Sequence, residues 1–430
     1  MNRIIKGLAT SVVALAVLAA VVAWRNLQGE EPLLPDPPAA VTGDPHAAAR
    51  ATSSTLVLGA YLARAGNCAA CHTAQGGAAY AGGRAIATPF GNVYAGNLTP
   101  DADTGLGRWS AAEFRRALRH GRARDGRLLV PAFPYPQFSQ VTTEDANALW
   151  AFLRSLPPVV QANRPHALRW PYNSQAALAV WRALYFSPAP FVPDTQQAAD
   201  WNRGAYLVNG LGHCAACHAS RNLLGGAGDL ADAGAGSKLA AQHWYAPSLA
   251  DPAEAGVSGW ATDEVVQLLK TGITGRASVM GPMADVVAGS TQYLSEPDLR
   301  AMARYLAALP APAPAAQPWR GSRPADTLTQ GEKLYTRHCA DCHGAQGQGA
   351  PGIYPALAGN RAVTMANPGN LVLAITRGGF APATDGNPRP YGMPAFDLSH
   401  AELAALATWL RAAWGHQAKP VSEVDVLLAR

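Results

Sequence analysis

The pattern Cys-x-x-Cys-His occurs three times, as Cys68-Ala-Ala-Cys71-His72, Cys214-Ala-Ala-Cys217-His218 and Cys339-Ala-Asp-Cys342-His343, and these copies use all 6 cysteines of the chain. Two thiols three residues apart can form thioethers with the two vinyl groups of one porphyrin, so each copy reads as an attachment site for a c-type haem. The adjacent histidine, His72, His218 or His343, then supplies the proximal nitrogen to iron. A zinc site would need two dithiol pairs, or a dithiol and a distant histidine pair, converging on one metal. A redox dithiol does not need the histidine. The arithmetic therefore predicts three covalently bound haem c groups.

The first residues, Met1-Asn-Arg3-Ile-Ile-Lys6, precede an uncharged and mostly apolar run of 18 residues, Gly7 to Trp24, closed by Arg25. The run exceeds the roughly 7 to 15 residues of a signal-peptide core, and its small-x-small element, Ala14-Leu-Ala16, lies inside it rather than at its end. With a rise of about 1.5 Å per residue it just spans a hydrocarbon core of about 30 Å. Residues 1–27 thus read as a signal or anchor helix, with the uncleaved anchor preferred. Either way Arg3 and Lys6 stay cytoplasmic and the remainder is exported. The expected location is the periplasmic side of a bacterial inner membrane.

Aligning the chain on its three motifs reveals one order of elements repeated three times. Gly59-Ala-Tyr61-Leu62, Gly204-Ala-Tyr206-Leu207 and Gly331-Glu-Lys-Leu334-Tyr335 each begin a short helix leading into the cysteines. A middle helix follows, from Trp109, Trp260 or Asn370 to Gly121, Gly272 or Gly378, with Ser110 and Thr262 as N-caps or first-turn residues and the glycines as C-caps. A closing helix carries apolar residues at helical spacing, namely Leu149, Phe152 and Leu153; Met302, Tyr305 and Leu306; and Leu406, Trp409 and Leu410. Each set opens on an acid, Asp145, Asp298 or Glu402, and the aromatic stripe reads as packing against the first helix.

The expected fold is all-α, with three tandem class I cytochrome c domains, loop-rich as 42 Gly and 34 Pro suggest, each wrapped around one haem. The roughly 390 residues beyond the apolar run and the Pro/Ala-rich stretch after it are too many for one core. The boundaries are 28–52 for a Pro/Ala-rich tether, 53–160 for domain one, 161–198 for an aromatic packed connector and 199–310 for domain two. A linker over 311–324, domain three over 325–416 and a tail over 417–430 complete the chain. Net charge is only +5 with 15% charged residues, and the basic residues are scattered, which excludes a nucleic-acid footprint.

Low-spin electron-transfer haems usually take methionine opposite histidine. In unit three Tyr391-Gly-Met393-Pro lies where a ligand loop belongs, so Met393 is the candidate. Unit two offers Met280 and Met283, and Met283, which follows a proline that stiffens its loop, is chosen, leaving Met280 as packing. Met302 and Met365 read as core or loop. Unit one has Pro131-Ala-Phe133-Pro-Tyr135 at the corresponding place, and no methionine lies between Met1 and Met280. Its distal ligand is therefore unknown from sequence: the iron is five-coordinate, water-bound, or ligated by a histidine such as His120 or His166. His120 aligns with Thr271 and Arg377, which suggests a solvated helix end. His213 and His338, each before a cysteine, read as exposed or haem-edge residues.

Tyr61-Leu-Ala-Arg-Ala-Gly-Asn-Cys68, Thr88-Pro-Phe-Gly91, Asn97-Leu-Thr-Pro-Asp101, Trp201-Asn-Arg-Gly-Ala-Tyr-Leu207, Gly281-Pro-Met283 to Val287 and Tyr391-Gly-Met-Pro-Ala-Phe396 resemble the tri-haem cytochrome c subunits of bacterial membrane-bound dehydrogenases. The likeness covers roughly residues 55 to 425. It implies a chain that accepts electrons from a dehydrogenase catalytic subunit (quinoprotein, flavoprotein or molybdoprotein) and passes them to ubiquinone or a downstream cytochrome or oxidase. Family members with a complete ligand set carry methionine where this sequence has Phe133. No dinucleotide fingerprint, phosphate loop or nucleophile elbow is present, so no catalytic centre of its own is expected. The alternatives are a haem peroxidase-like enzyme using an open first haem, or the cytochrome subunit of a terminal oxidase, which differs only in its partner.

Overall fold

The computed structural model describes residues 2–30, 33, 45–232, 234–239, 242–312 and 318–429. Much of the expected tether and part of the 311–324 linker lie outside the described residues. The chain is mostly helical, and its helices recur in the order lead, middle, closing around each Cys-x-x-Cys-His motif.

Each lead helix crosses the closing helix of its own unit: Pro45–Ala65 packs on Thr143–Ser155, Ala199–Tyr206 on Glu296–Ala307, and Ala325–His338 on His400–Leu410. The three repeat glycines lie inside these helices rather than at their starts, at the crossing points. A Cβ on Gly59 would stand 2.7 Å from Phe152 Cβ, one on Gly204 2.9 Å from Tyr305 Cβ, and one on Gly331 2.5 Å from Trp409 Cβ. The carbonyl oxygens of Ala148, Ala301 and Ala405 would be closer still. Only a residue without Cβ lets the backbones approach this far.

The closing helices start at Thr142, Ser295 and Ser399, whose side chains accept from the backbone N–H of Asp145, Asp298 and Glu402. The repeated acid is thus the third residue of each helix, near the positive end of the helix dipole. Ser110 caps the first middle helix in a capping box with Glu113. Thr262 opens the second, and Gly121 and Gly272 close the first two in left-handed conformation at φ 59° and 76°.

The all-α expectation needs one correction. Among the described residues, three small antiparallel sheets form, from Ala85–Thr88, Gly91–Tyr94 and Ala167–Leu168; from Gly236–Lys238 and Tyr245–Pro247; and from Gly379–Phe380 and Gly392–Met393.

Units one and two share one core, running from Leu62 through Leu149, Leu207 and Leu211 to Leu299 and Leu306. Unit three has a separate core around Tyr335, Val372, Leu403 and Leu406. The first two units also exchange hydrogen bonds reciprocally. Tyr61 Oη donates to Asp298 Oδ2 at 2.5 Å, and Tyr206 Oη donates to Asp145 Oδ2 at 2.6 Å. Each phenol oxygen also accepts from the backbone of the opposite closing helix's cap, Ser295 N–H for Tyr61 and Thr142 N–H for Tyr206. The arrangement is that of a two-fold interface between two unlike copies. Burial pushes the Asp298 carboxyl up, but its bonds from Arg203 and Tyr61 outweigh that and hold it below its ordinary value.

The connector is packed. Its helix Gln175–Tyr185 lies against the N-terminal helix Asn2–Leu27, and Trp181 Nε1 donates to Leu224 O of unit two at 2.9 Å. The stretch Thr10–Leu27 has a mean hydropathy of 1.7 and is almost wholly exposed.

Candidate functional site

Each motif sits on a short helical turn, Cys68–His72, Ala215–His218 or Ala340–His343. In the first two units the residue before the first cysteine, Asn67 at φ 48° or His213 at φ 38°, is left-handed and turns the chain out of the lead helix.

The three histidines share one feature that sequence does not display. Nδ1 of His72 lies 2.7 Å from Gly96 O, that of His218 2.6 Å from Pro247 O, and that of His343 2.9 Å from Pro355 O. A carbonyl only accepts, so Nδ1 carries the proton and Nε2 is left with its lone pair for a metal. Burial pushes each imidazole below its ordinary value, with the carbonyl bond opposing, which favours the neutral ring at all three positions. The acceptors lie 24, 29 and 12 residues downstream, a spacing too irregular to be found by pattern.

Burial also pushes the Cys68 and Cys214 thiols up to about 12 and Cys339 up to about 11. A redox or zinc-binding dithiol needs the opposite direction. Among the described residues no three His, Cys, Asp or Glu side chains cluster as a metal site. A cavity of about 610 Å³ opens beside the first motif, lined by Ala69, Thr73 and Arg84. Paired thiols on one turn and an imidazole with free Nε2 fit a covalently held haem at each motif, and the first has adjoining space.

The sixth-ligand candidates differ in setting. Met393 lies on the Gly392–Met393 strand and packs against the unit-three core. Met283 lies in the first turn of helix Pro282–Gly289, whose N-cap, Gly281, is covered by the Trp244 indole. Met280 turns away, its Cε coming within 3.5 Å of where a Cβ on Gly379 of unit three would stand. Met302 and Met365 are buried in cores. Phe133 meets Phe138 edge to face at 5.5 Å between ring centres, and Phe138 meets the His213 ring at 5.6 Å. His213 is half-buried with Nε2 3.3 Å from Gly66 O, which links the first two motifs, while His338 packs on Phe396.

The solvated reading of His120 is wrong. It is only 4% exposed, its Nε2 has no partner, and its carbonyl accepts from Arg182. Burial, reinforced by Arg119, Arg182, Arg122 and Arg116, lowers it to about 4. The connector helix, which alignment of the motifs could not anticipate, covers this helix end. His166 Nδ1 accepts from Tyr94 N–H at 3.2 Å, beside the first sheet.

The cytochrome c family model matches residues 56–157 and 328–414. The chain is 39% identical over 402 residues to the cytochrome c subunit of a quinone-type alcohol dehydrogenase from Gluconacetobacter polyoxogenes, covering 88% of this chain and 85% of that one. It is 36% identical to the gluconate 2-dehydrogenase cytochrome c subunit of Pantoea cypripedii, over 89% of this chain and 90% of the relative. To the fructose dehydrogenase cytochrome subunit of Gluconobacter japonicus it is 35% identical, over 87% and 82%. With its motifs, neutral histidines and full-length relatives, the chain belongs to the family of haem-bearing, electron-transferring cytochrome c subunits of dehydrogenases.

Proposed function

We propose that the chain carries three covalent haems, on Cys68 and Cys71, Cys214 and Cys217, and Cys339 and Cys342, within domains spanning 53–160, 199–310 and 325–416. His72, His218 and His343 are the proximal ligands, and Met283 and Met393 the distal ligands of the second and third. When bound, each haem would supply a one-electron iron couple. The chain takes electrons from a dehydrogenase catalytic subunit and delivers them to ubiquinone or a downstream carrier. The observation that carries this reading is the threefold recurrence of a Cys-x-x-Cys-His turn whose histidine donates Nδ1–H to a backbone carbonyl. Met280 pointing across the seam toward Gly379 supports Met283 as the ligand of the pair.

The N-terminal helix supports a membrane-anchored protein on the periplasmic side. Asn26, 7% exposed, donates to Val22 O and Ala179 O and accepts from Arg182 Nε at 2.9 Å. Arg122 pairs with Glu30 at 3.0 Å. Cleavage after Leu27 would strip a partner from Arg182, itself 4% exposed, and an uncompensated buried cation is costly. The test is intact mass and partner analysis of the membrane-extracted protein: three haems and a copurifying dehydrogenase subunit are expected. Full activity with two haems would sink the reading.

A further inference from the structure

The segment Trp244–Pro247 touches both His218 and the loop that carries Met283. Pro247 O receives Nδ1–H of His218 at 2.6 Å. Three residues earlier, the Trp244 indole lies so close to Gly281 that a Cβ there would stand 2.8 Å from its Cζ2. Gly281 is left-handed at φ 57° and precedes Met283 by two residues. One short strand therefore sets the carbonyl that orients the proximal ligand and braces the loop of the distal one.

The strand pairing within unit two covers only one edge of this strand. There, Tyr245–Pro247 pairs with Gly236–Lys238, and Leu239 N–H bonds Trp244 O at 2.7 Å. The N–H and C=O of Tyr245 face the other way, and both are taken by a single side chain from unit three. Asn370 Oδ1 accepts from Tyr245 N–H at 2.8 Å, and Asn370 Nδ2 donates to Tyr245 O at 2.7 Å. A primary amide presents one donor and one acceptor at the spacing of a peptide group, so Asn370 acts as one residue of a neighbouring strand. It sits in the first turn of helix Gly369–Arg377. The same helix reaches the turn before the strand, where Arg377 donates to Gln242 O at 2.8 Å.

We propose that Asn370 is a positioning residue for the second haem, through which the docking of unit three fixes the geometry of His218 and of the Met283 loop. The inference rests on the ligand assignment given above. The partner of a ligating histidine controls ring orientation and ligand basicity. Freeing the outer edge of the strand lets Pro247 O and Trp244 shift together, and the second iron responds while the other two do not.

The test is electron paramagnetic resonance and a spectroelectrochemical titration of the haem-loaded full chain. Cys217→Ala, which removes one thioether, identifies the second haem's signals. Asn370→Ala should shift the g values and midpoint potential of that haem alone. Asn370→Asp, which keeps the acceptor and loses the donor, should give a smaller shift in the same direction. Arg361→Ala is the control, since Arg361 also bridges the seam, to Gly256 O and over the Trp260 ring at 4.9 Å, without touching the strand. The proposal is overturned if Arg361→Ala reproduces the Asn370→Ala shift, if a different haem moves, or if none does. Met283→Leu separates the two readings: if it leaves the second haem unchanged while Asn370→Ala shifts it, the distal ligand assignment fails and the strand clamp on His218 stands.

Discussion

Gly204→Ala sets two known effects against each other. Alanine in a helix interior is favoured over glycine by about 1 kcal/mol, so propensity alone predicts stabilisation. The structure predicts the reverse. The new Cβ would stand 2.5 Å from the carbonyl carbon of Ala301 and 2.9 Å from Tyr305 Cβ. Carbon atoms in good contact are about 3.5 to 4.0 Å apart, so the two helices must separate by about 1 Å. The obstruction is backbone, which cannot rotate away, and overpacking of this kind costs roughly 1 to 3 kcal/mol. Taking the upper end, the net loss is about 2 kcal/mol, or roughly 4 to 8 °C in Tm for a folding unit of this size. Thermal unfolding of the haem-loaded chain, followed by far-ultraviolet circular dichroism, measures it. An unchanged or raised Tm would show that the helices can part freely and that the crossing is not the reason for glycine. Gly331→Ala should lower the transition of unit three alone, because that unit has its own core.

Four further outcomes are expected. Phe133→Met should create a third haem with histidine and methionine ligands and raise its potential; three such low-spin signals already present in the unsubstituted protein would refute the reading of the first site. The folded pKa of His120 lies at about 4 against 6.5 unfolded, so its burial costs nothing above pH 6.5 and progressively more as pH falls toward 4, up to roughly 3 kcal/mol. His120→Leu should flatten that part of the stability profile in denaturant titrations. The Asp298 carboxyl lies below 3.8, so its contribution is complete above the unfolded pKa and lost as pH falls through the folded value; Asp298→Asn should remove that acid limb. N-terminal sequencing of the membrane-extracted protein should find Leu27 and Asn26 still attached, and a mature end beyond Leu27 would refute the anchor.

The motifs, the threefold helix order and the caps could be read from sequence because each depends on neighbours a few residues away. Ser110 with Glu113 is visible in a window of four residues, and Gly121 and Gly272 mark helix ends wherever they occur. What could not be read depends on chain far from the residue concerned. His120 lies at a helix end that would be wet in an isolated unit, and a connector helix more than fifty residues later buries it. The carbonyls of Gly96, Pro247 and Pro355 carry no side-chain signature, since any residue could supply them. The tyrosine–aspartate exchange did leave a trace: Tyr61 and Tyr206 both follow their glycine by two residues, whereas unit three has Lys333 there. The Lys333 ammonium can donate but, unlike a phenol oxygen, cannot also accept from a cap N–H, and unit three stands outside the pair.

The reciprocal exchange between units one and two bears on how such a chain can change over generations. Tyr61, Asp298, Tyr206 and Asp145 form two bonds that each join unit one to unit two, between residues 237 and 61 positions apart, so an alteration at one is answered only by an alteration in the other unit. A break between the first two units would also divide a common core, leaving Leu207 and Leu211 of one half and Leu62 of the other facing water. Recombination is therefore tolerated unevenly along the chain. The first two motif-bearing units, which share a core, are expected to be inherited together, while the third, with a core of its own, can be exchanged only for a unit that also supplies the Asn370 contacts to Tyr245.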